Sequence, residues 1–573
     1  MKTFPTIETL KRAPFGLADV AVILGTLSML AVTTHLGAGL LIDFQPPMIV
    51  PQIDLDPLNL PYYAGRSTLR MFIALFCSIV FTLVYGYIAA NNKQAEKILV
   101  PLLDILQSVP VLGFLSITVT GFIALFPGSL LGLEAASIFA IFTSQVWNMT
   151  FSFYQSLRTI PKELEEATRL YQLSPWLRFI KLEIPTAMVG LLWNAMMSFG
   201  GGWFFVAESE AISVLNREYT LPGIGSYVAK AIAQENLPAL GWALLTIGLV
   251  IVGVDQLFWR PLVAWSDKFR LEQSSSADPP ESWVYDLLTK ARIPRLIGNA
   301  IAPLMERLNQ FMSHLSHGFV TLTEGVPAPP DRWFNLSLLV ISGLLLAWAS
   351  QFVITNVGFS EVVKVVGLGC LTLLRVSLLL LFATLIWTPI GVAIGFNPKL
   401  ARLLQPIVQF LACFPANFIF PFATLFFIKT GITIDFGSVL LMSLGAQWYI
   451  LFNSIAGAKS IPNDLREMAD DIGLTGWKKW QRLIIPGIFS AWVTGGITAS
   501  GGAWNASIVS EIVSWGSTTL TAKGLGAYIA QATTAGDWAR ITLGVVMMSL
   551  FVVGINRIFW RRLYHLAETK YHL

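Results

Sequence analysis

The sequence predicts an all-α polytopic membrane protein made of two parallel six-helix bundles. Three observations carry this. The chain has 573 residues, of which 54% are hydrophobic and only 13% charged, and its mean hydropathy is +0.64. A soluble domain carries about 25% charged residues, so this chain cannot hide its apolar side chains in one water-facing core. The apolar residues gather in twelve runs, near 20–42, 68–90, 98–126, 135–157, 184–206, 239–259, 334–355, 371–396, 403–428, 434–456, 485–508 and 540–560. A run of about 20 apolar residues crosses a bilayer as a helix, because lipid offers the backbone no hydrogen-bond partner. The third observation is an internal repeat.

The first half returns in the second. Arg70, Pro101 and Pro110 match Arg375, Pro406 and Pro415, 305 residues on. Trp147, Ile160-Pro161, Ile184-Pro185, Trp203 and Glu210 match Trp448, Ile461-Pro462, Ile485-Pro486, Trp504 and Glu511, 301 residues on. Gly223-Ile224-Gly225 and Phe258-Trp259-Arg260 return as Gly524-Leu525-Gly526 and Phe559-Trp560-Arg561. Each half holds an even number of runs, so the two halves cross the membrane in the same sense, about a pseudo-two-fold axis along its normal. The division is 1–265, 266–330 and 331–573: first half, linker, second half. The linker is polar and Pro-containing and reads as a cytoplasmic tether. Its middle, Trp283 to Phe319, has helical periodicity suited to a membrane surface.

Orientation follows from the cations. With the N-terminus in the cytoplasm, the inside segments hold 29 of the 38 Lys and Arg residues, a positive-inside bias. Both termini are then cytoplasmic. The basic N-terminus precedes a run of full spanning length with no evident small-residue cleavage site, which argues against a signal peptide. Cys77, Cys370 and Cys413 lie in apolar runs without paired spacing and suggest neither a disulfide nor a metal site.

Two charged interruptions stand out, 160–185 and 461–486. Each opens and closes on Ile-Pro. In the first, Pro161 suits the start of a helix, and Glu163, Glu165 and Glu166 favour the positive end of its dipole. Leu164, Ala167, Leu170 and Tyr171 fall on one face, and Ser174-Pro175 restarts the chain. In the second, Gly473 suits a left-handed helix end and Thr475 a cap for the next helix. Unlike the other loops, these two kept their length and punctuation, which points to a protein partner on the cytoplasmic side.

These loops resemble the EAA loop of permease subunits of ATP-binding cassette importers: Glu-Ala-Ala, three residues, Gly, then an Ile-x-Leu-Pro-like end. The first copy has Glu166-Ala167-Thr168, Gln172 in place of Gly, and Leu182-Glu183-Ile184-Pro185. The second has Glu467-Met468-Ala469, Gly473 and Leu483-Ile484-Ile485-Pro486. The chain is most similar to duplicated anion permeases of the nitrate, sulfonate, taurine and bicarbonate branch.

The resemblance implies a type I importer-like architecture in a bacterial cytoplasmic (inner) membrane. Pro161–Tyr171 and Pro462–Ile472 would be coupling helices docking on two ATPase subunits. The contacts would come from Glu163, Glu166, Ala167, Gln172 and Leu173, and from Glu467, Ala469, Asp470, Gly473 and Leu474. It also implies an extracytoplasmic substrate-binding protein and a small anion as cargo. A non-Gly residue is disfavoured at positive φ, so Gln172 predicts a different turn in the first copy and leaves room for a non-identical ATPase pair. No phosphate loop of the form GxxxxGK followed by Ser or Thr occurs. ATP and magnesium would therefore be bound by the partners, and this chain would bind no cofactor and catalyse nothing itself. No nucleic-acid partner is implied.

Polar residues within spans are costly and face a bundle interior. Candidates for the translocation pathway are Gln145, Asn148, Asn194 and Trp203, with Gln447, Asn453, Trp504 and Asn505. The glycines beside Trp203 and Trp504 would bring the fifth helices close to the axis. Arg70 and Arg375, near the outer ends of helices two and eight, could attract an anion, but read more readily as interfacial anchors that snorkel. Glu208, Glu210 and Glu511 read as partners for Arg or for the binding protein. An ion-coupled secondary transporter also comes as six-plus-six repeats, but it needs a mid-span carboxylate. Asp104 and Asp255 lie near helix ends, and that reading leaves the twin loops unexplained.

Overall fold

The computed structural model describes residues 17–38, 52–108, 111–127, 129–214, 217–269, 282–323 and, with short gaps between 338 and 354, 336–570. The first half runs α1 (Leu17–Ala38), α2 (Leu60–Asn91), α3 (Lys93–Ser108), α4 (Leu115–Leu125), α5 (Leu131–Arg158), α6 (Lys162–Leu170) and α7 (Pro175–Glu210). It continues through a hairpin, β1 (Ala211–Val214) and β2 (Arg217–Thr220), then α8 (Ile224–Ala233) and α9 (Leu237–Ser266). The linker forms α10 (Trp283–Lys290) and α11 (Ile293–Thr323). The second half runs α12 (Phe359–Phe396), α13 (Pro398–Cys413), α14 (Phe420–Thr430), α15 (Ile434–Ser460), α16 (Asn463–Asp471) and α17 (Gly476–Ser510). Then come β3 (Ile512–Trp515), β4 (Thr518–Thr521), α18 (Leu525–Ala535) and α19 (Trp538–Ala567).

Local details repeat with the sequence. A π-turn interrupts α7 at Phe179–Glu183 and α17 at Trp480–Ile484, and another interrupts α9 at Asp255–Trp259 and α19 at Asn556–Trp560. All four fall where the 301-residue offset places them.

Eight helices among the described residues are long and apolar enough to cross a membrane, against twelve expected spans. The third run of each half is broken in two. In the second half Pro415 follows Phe414, which is extended at φ −71° and ψ 129°, because a proline forces the residue before it out of the helical region. In the first half the third run is likewise split into α3 and α4, and Pro110, the sequence counterpart of Pro415, lies outside the described residues. α5 is a 28-residue helix too polar to count by hydropathy, since Thr143, Ser144, Gln145, Asn148 and Thr150 all lie on it. The run 334–355 falls largely outside the described residues.

The two hairpins were not expected. β1 pairs antiparallel with β2, Ala211 opposite Thr220, and β3 with β4, Ile512 opposite Thr521. Gly516-Ser517 between two short β-branched stretches is the sequence signal for the second, and Gly516 takes φ +57°.

The chain forms two compact units. One comprises Met1–Leu40, Phe151–Met196 and Val252–Leu336, and the other Leu41–Thr150, Met197–Ile251 and Ser337–Leu573. The core of the second unit mixes the halves, with Leu112, Val119 and Leu133 packed among Val376, Met442, Trp504 and Ile529. A pseudo-symmetric pair of polar contacts ties the halves there. Val111 N–H donates to Asn505 Oδ1 at 3.0 Å. Asn417 Nδ2 donates to Phe204 O at 3.2 Å and to Glu208 Oε1 at 2.7 Å. Each contact joins the break in one half's third run to the other half's fifth helix.

Candidate coupling loops and pathway

The two loops have the same backbone. In the first, α6 ends as Tyr171 N–H donates to Ala167 O at 3.0 Å and Leu173 N–H to Thr168 O at 3.0 Å. In the second, Ile472 N–H donates to Met468 O at 3.1 Å and Leu474 N–H to Ala469 O at 2.9 Å. Gln172 does not change the turn. It takes φ +49° where Gly473 takes φ +70°. The expectation of a different first turn is therefore corrected: the hydrogen bonds that close the helix hold Gln172 in the left-handed region, at a cost of about 1 kcal/mol for a side-chain-bearing residue. Ser174 Oγ caps the following helix by accepting from Leu177 N–H at 3.2 Å, whereas Thr475 occupies that cap position without a side-chain bond.

What braces each loop differs. In the first, Arg178 lies 3.0 Å from both Glu165 and Glu183. In the second, Lys479 pairs with Asp470. Arg466, which stands where the first loop has Glu165, donates to Ala458 O at the end of α15 and lies over the Phe396 ring at 4.5 Å. Burial lowers the pKa of Arg466 from the ordinary arginine value.

Glu163, Glu166, Gln172, Glu467, Asp470 and Gly473 are exposed, while Ala167, Leu173 and Leu474 are partly buried. Ala469 is buried among Ala458, Ile461 and Leu483, so it holds the helix in place and offers no surface to a partner. Around the exposed carboxylates both loops leave large apolar groups bare: Leu170 and Tyr171 in the first, Met468 and Ile472 in the second.

Near the middle of α12, about six turns before Phe396, lies a cluster that the sequence alone reads differently. Arg375 does not snorkel: it is buried, 2.6 Å from Asp435 and 2.9 Å from Glu511. Glu511 also accepts from Thr372 Oγ1 at 2.7 Å and Ala527 N–H at 3.1 Å. The first half repeats it. Arg70 is fully buried, 2.6 Å from Glu210, and donates to Glu134 Oε1 at 2.7 Å. Glu210 accepts from Ser67 Oγ at 2.6 Å and Gly225 N–H at 2.7 Å. Arg66, a further cation, pairs with Glu134. Two carboxylates and further hydrogen bonds offset the desolvation cost that burying each guanidinium incurs. Arg66, Glu134 and Asp435 were missed, although acids 301 residues apart were a signal.

The cluster explains the Gly-Ile-Gly motif. A Cβ on Gly223 would lie 2.2 Å from Glu210 Oε2, and one on Gly524 would lie 2.1 Å from Glu511 Oε2. Only glycine lets this backbone pass the carboxylate.

The pathway candidates are dispersed. Trp203 and Trp504 are buried, packed on Phe199 and Phe551, and offer no surface to a solute here. The close approach at the fifth helices belongs to the glycines instead: a Cβ on Gly200 would meet Cys413 Sγ at 2.3 Å, and one on Gly201 would lie 3.2 Å from Tyr449 Oη. Asn148 accepts from Gln107 Nε2 at 3.1 Å and Gln447 from Trp387 Nε1 at 3.0 Å. Asn453 donates to Tyr449 O at 2.8 Å, and Gln145 is buried near Met71. Asn194 donates to Ser152 Oγ at 3.0 Å.

Comparison with known proteins follows the duplication. The family described as binding-protein-dependent transport system inner membrane component matches twice, over residues 71–257 and 386–566. The chain is 26% identical over 186 residues to the bicarbonate transport system permease protein CmpB of Synechococcus elongatus, covering 32% of this chain and 60% of that protein. It is 25% identical over 184 residues to the taurine transport system permease protein TauC of Escherichia coli, covering 32% and 62%. It is 23% identical over 216 residues to the nitrate import permease protein NrtB of Leptolyngbya laminosa, covering 36% and 72%. The chain thus spans about 60% of the length of the bicarbonate relative.

Proposed function

We propose that this chain, which belongs to the binding-protein-dependent transport system inner membrane component family, forms the translocation pathway of an ATP-driven importer for a small anion. The observation that carries this reading is the pair of loops with one backbone and one kind of surface, exposed acids ringed by bare apolar side chains. Such a surface suits docking on a protein. Two ATPase subunits engage α6 and α16, supply ATP and magnesium, and drive the alternation of access. A substrate-binding protein delivers cargo at the opposite face.

The loops face the cytoplasm of a bacterial inner membrane, as the distribution of cations supports. The anion class rests on the printed names of the bicarbonate, taurine and nitrate relatives. The ATPases bear the catalysis in this reading.

The test is charge reversal at Glu166 and Glu467, both exposed. In reconstituted vesicles, Glu166→Lys and Glu467→Lys should abolish uptake per ATP hydrolysed while leaving the chain folded. Unchanged uptake in both would count against the loops as docking sites.

A further inference from the structure

We infer that the linker helix α11 lies in the interfacial layer of the bilayer and clamps the first loop to it. The lipid contact stands by itself, whereas the consequence for coupling rests on the docking reading of that loop.

Two anchors set the depth of α11. At its start, Asp19 Oδ1 accepts from Arg292 N–H at 2.6 Å and Ile293 N–H at 3.2 Å. Asp19 sits in the first turn of α1, a helix of spanning length and composition. Further along, Trp176 Nε1 donates to Asn309 Oδ1 at 3.1 Å and Ser313 Oγ to Ser174 Oγ at 2.7 Å. Ser174 and Trp176 stand at the start of α7, a second spanning helix. Asp19 stands at the edge of the apolar run of α1, and Trp176 about 12 Å along the axis outside the apolar stretch of α7 that begins at Ile184, so α11 starts at the acyl boundary and runs through the headgroup layer.

Between those anchors the exposed surface of α11 is apolar along one stripe. Ile297, Ile301, Leu304, Leu308, Phe311 and Leu315 recur at spacings of four and three, and all are exposed, Leu304 at 66% and Phe311 at 60%. Asn309 and Ser313 fall about 120–160° around the helix from that stripe at roughly 100° per residue. One face therefore holds the loop while another presents a continuous apolar ridge. A helix of this kind, held at this depth in a membrane protein, buries its ridge at the acyl boundary.

The second loop has no such cover among the described residues. Trp477, the counterpart of Trp176, is 65% exposed. The two loops share a backbone but not a mounting: the first is pinned through Trp176 to a lipid-seated helix, and the second is bare at that position.

The test uses the full chain in liposomes, with the three native cysteines replaced and a nitroxide attached at one new cysteine at a time. Leu304→Cys, Leu308→Cys and Phe311→Cys should be reached by oxygen and severalfold less by an aqueous nickel chelate than Glu306→Cys, with ATPases absent or present. Equal access of the chelate to ridge and Glu306→Cys would overturn the proposal. Shielding of the ridge from both reagents would overturn it too. If that shielding needs the ATPases, the ridge is their docking face, and if it does not, the ridge packs on protein. For the clamp, Asn309→Ala with Ser313→Ala should raise the mobility of a label at Leu170→Cys and leave one at Asp471→Cys unchanged. Unchanged mobility at Leu170→Cys would refute the clamp. Neither readout depends on whether charge reversal uncouples transport.

Discussion

The two buried ion clusters should respond unequally to the same change. Glu210 accepts from Arg70, Ser67 and Gly225, and Arg70 also pairs with Glu134, which is fully buried and pairs with Arg66 too. Glu210→Ala leaves the fully buried Arg70 with one buried carboxylate, which it shares with Arg66. Breaking a buried pair in this way costs about 3–5 kcal/mol. Glu511→Ala leaves Arg375 still 2.6 Å from Asp435, whose side chain is 52% exposed. Charge then stays balanced, and the loss is mainly of hydrogen bonds, about 1–3 kcal/mol. The difference, about 2 kcal/mol, is roughly 30-fold in an unfolding equilibrium. Unfolding of the purified chain in mixed micelles titrated with dodecyl sulfate would measure it. Equal destabilisation by the two single variants would refute this reasoning.

Other outcomes follow from local geometry. Gln172→Gly should stabilise the first loop by about 0.5–1 kcal/mol without altering its fold, and Gly473→Gln should cost the second about 1 kcal/mol; the same micelle titration reads both. Gly200→Ala should destabilise by roughly 1–3 kcal/mol through contact with Cys413, and Cys413→Gly should restore it. Gly241, with open space around its Cβ position, should tolerate alanine in the same assay.

Much of this was legible because lipid makes simple demands on sequence. Length, hydropathy and duplication reveal spans, and the paired Ile-Pro boundaries reveal the loops. The misreadings have physical causes. Arg70 and Arg375 lie near the ends of apolar runs, where a lone arginine would snorkel; their carboxylate partners lie 64 and 140, and 60 and 136, residues away. Gln172 was read by intrinsic preference, whereas the hydrogen bonds closing α6 decide its φ. Trp203 and Trp504 were placed near the axis by the flanking glycines, but the glycines make the close approach and the indoles fill the core. The hairpins escaped because four-residue strands leave little trace beside twenty-residue apolar runs. The contact between Trp176 and Asn309 joins a loop to a linker with no periodic signal linking them.

The most direct test of the account is co-purification. The detergent-solubilised chain would be drawn from its native membrane and its companions identified and counted by mass spectrometry. The account predicts two ATPase subunits per chain. A chain that emerges alone, and moves solute in liposomes on an ion gradient without ATP, would contradict it.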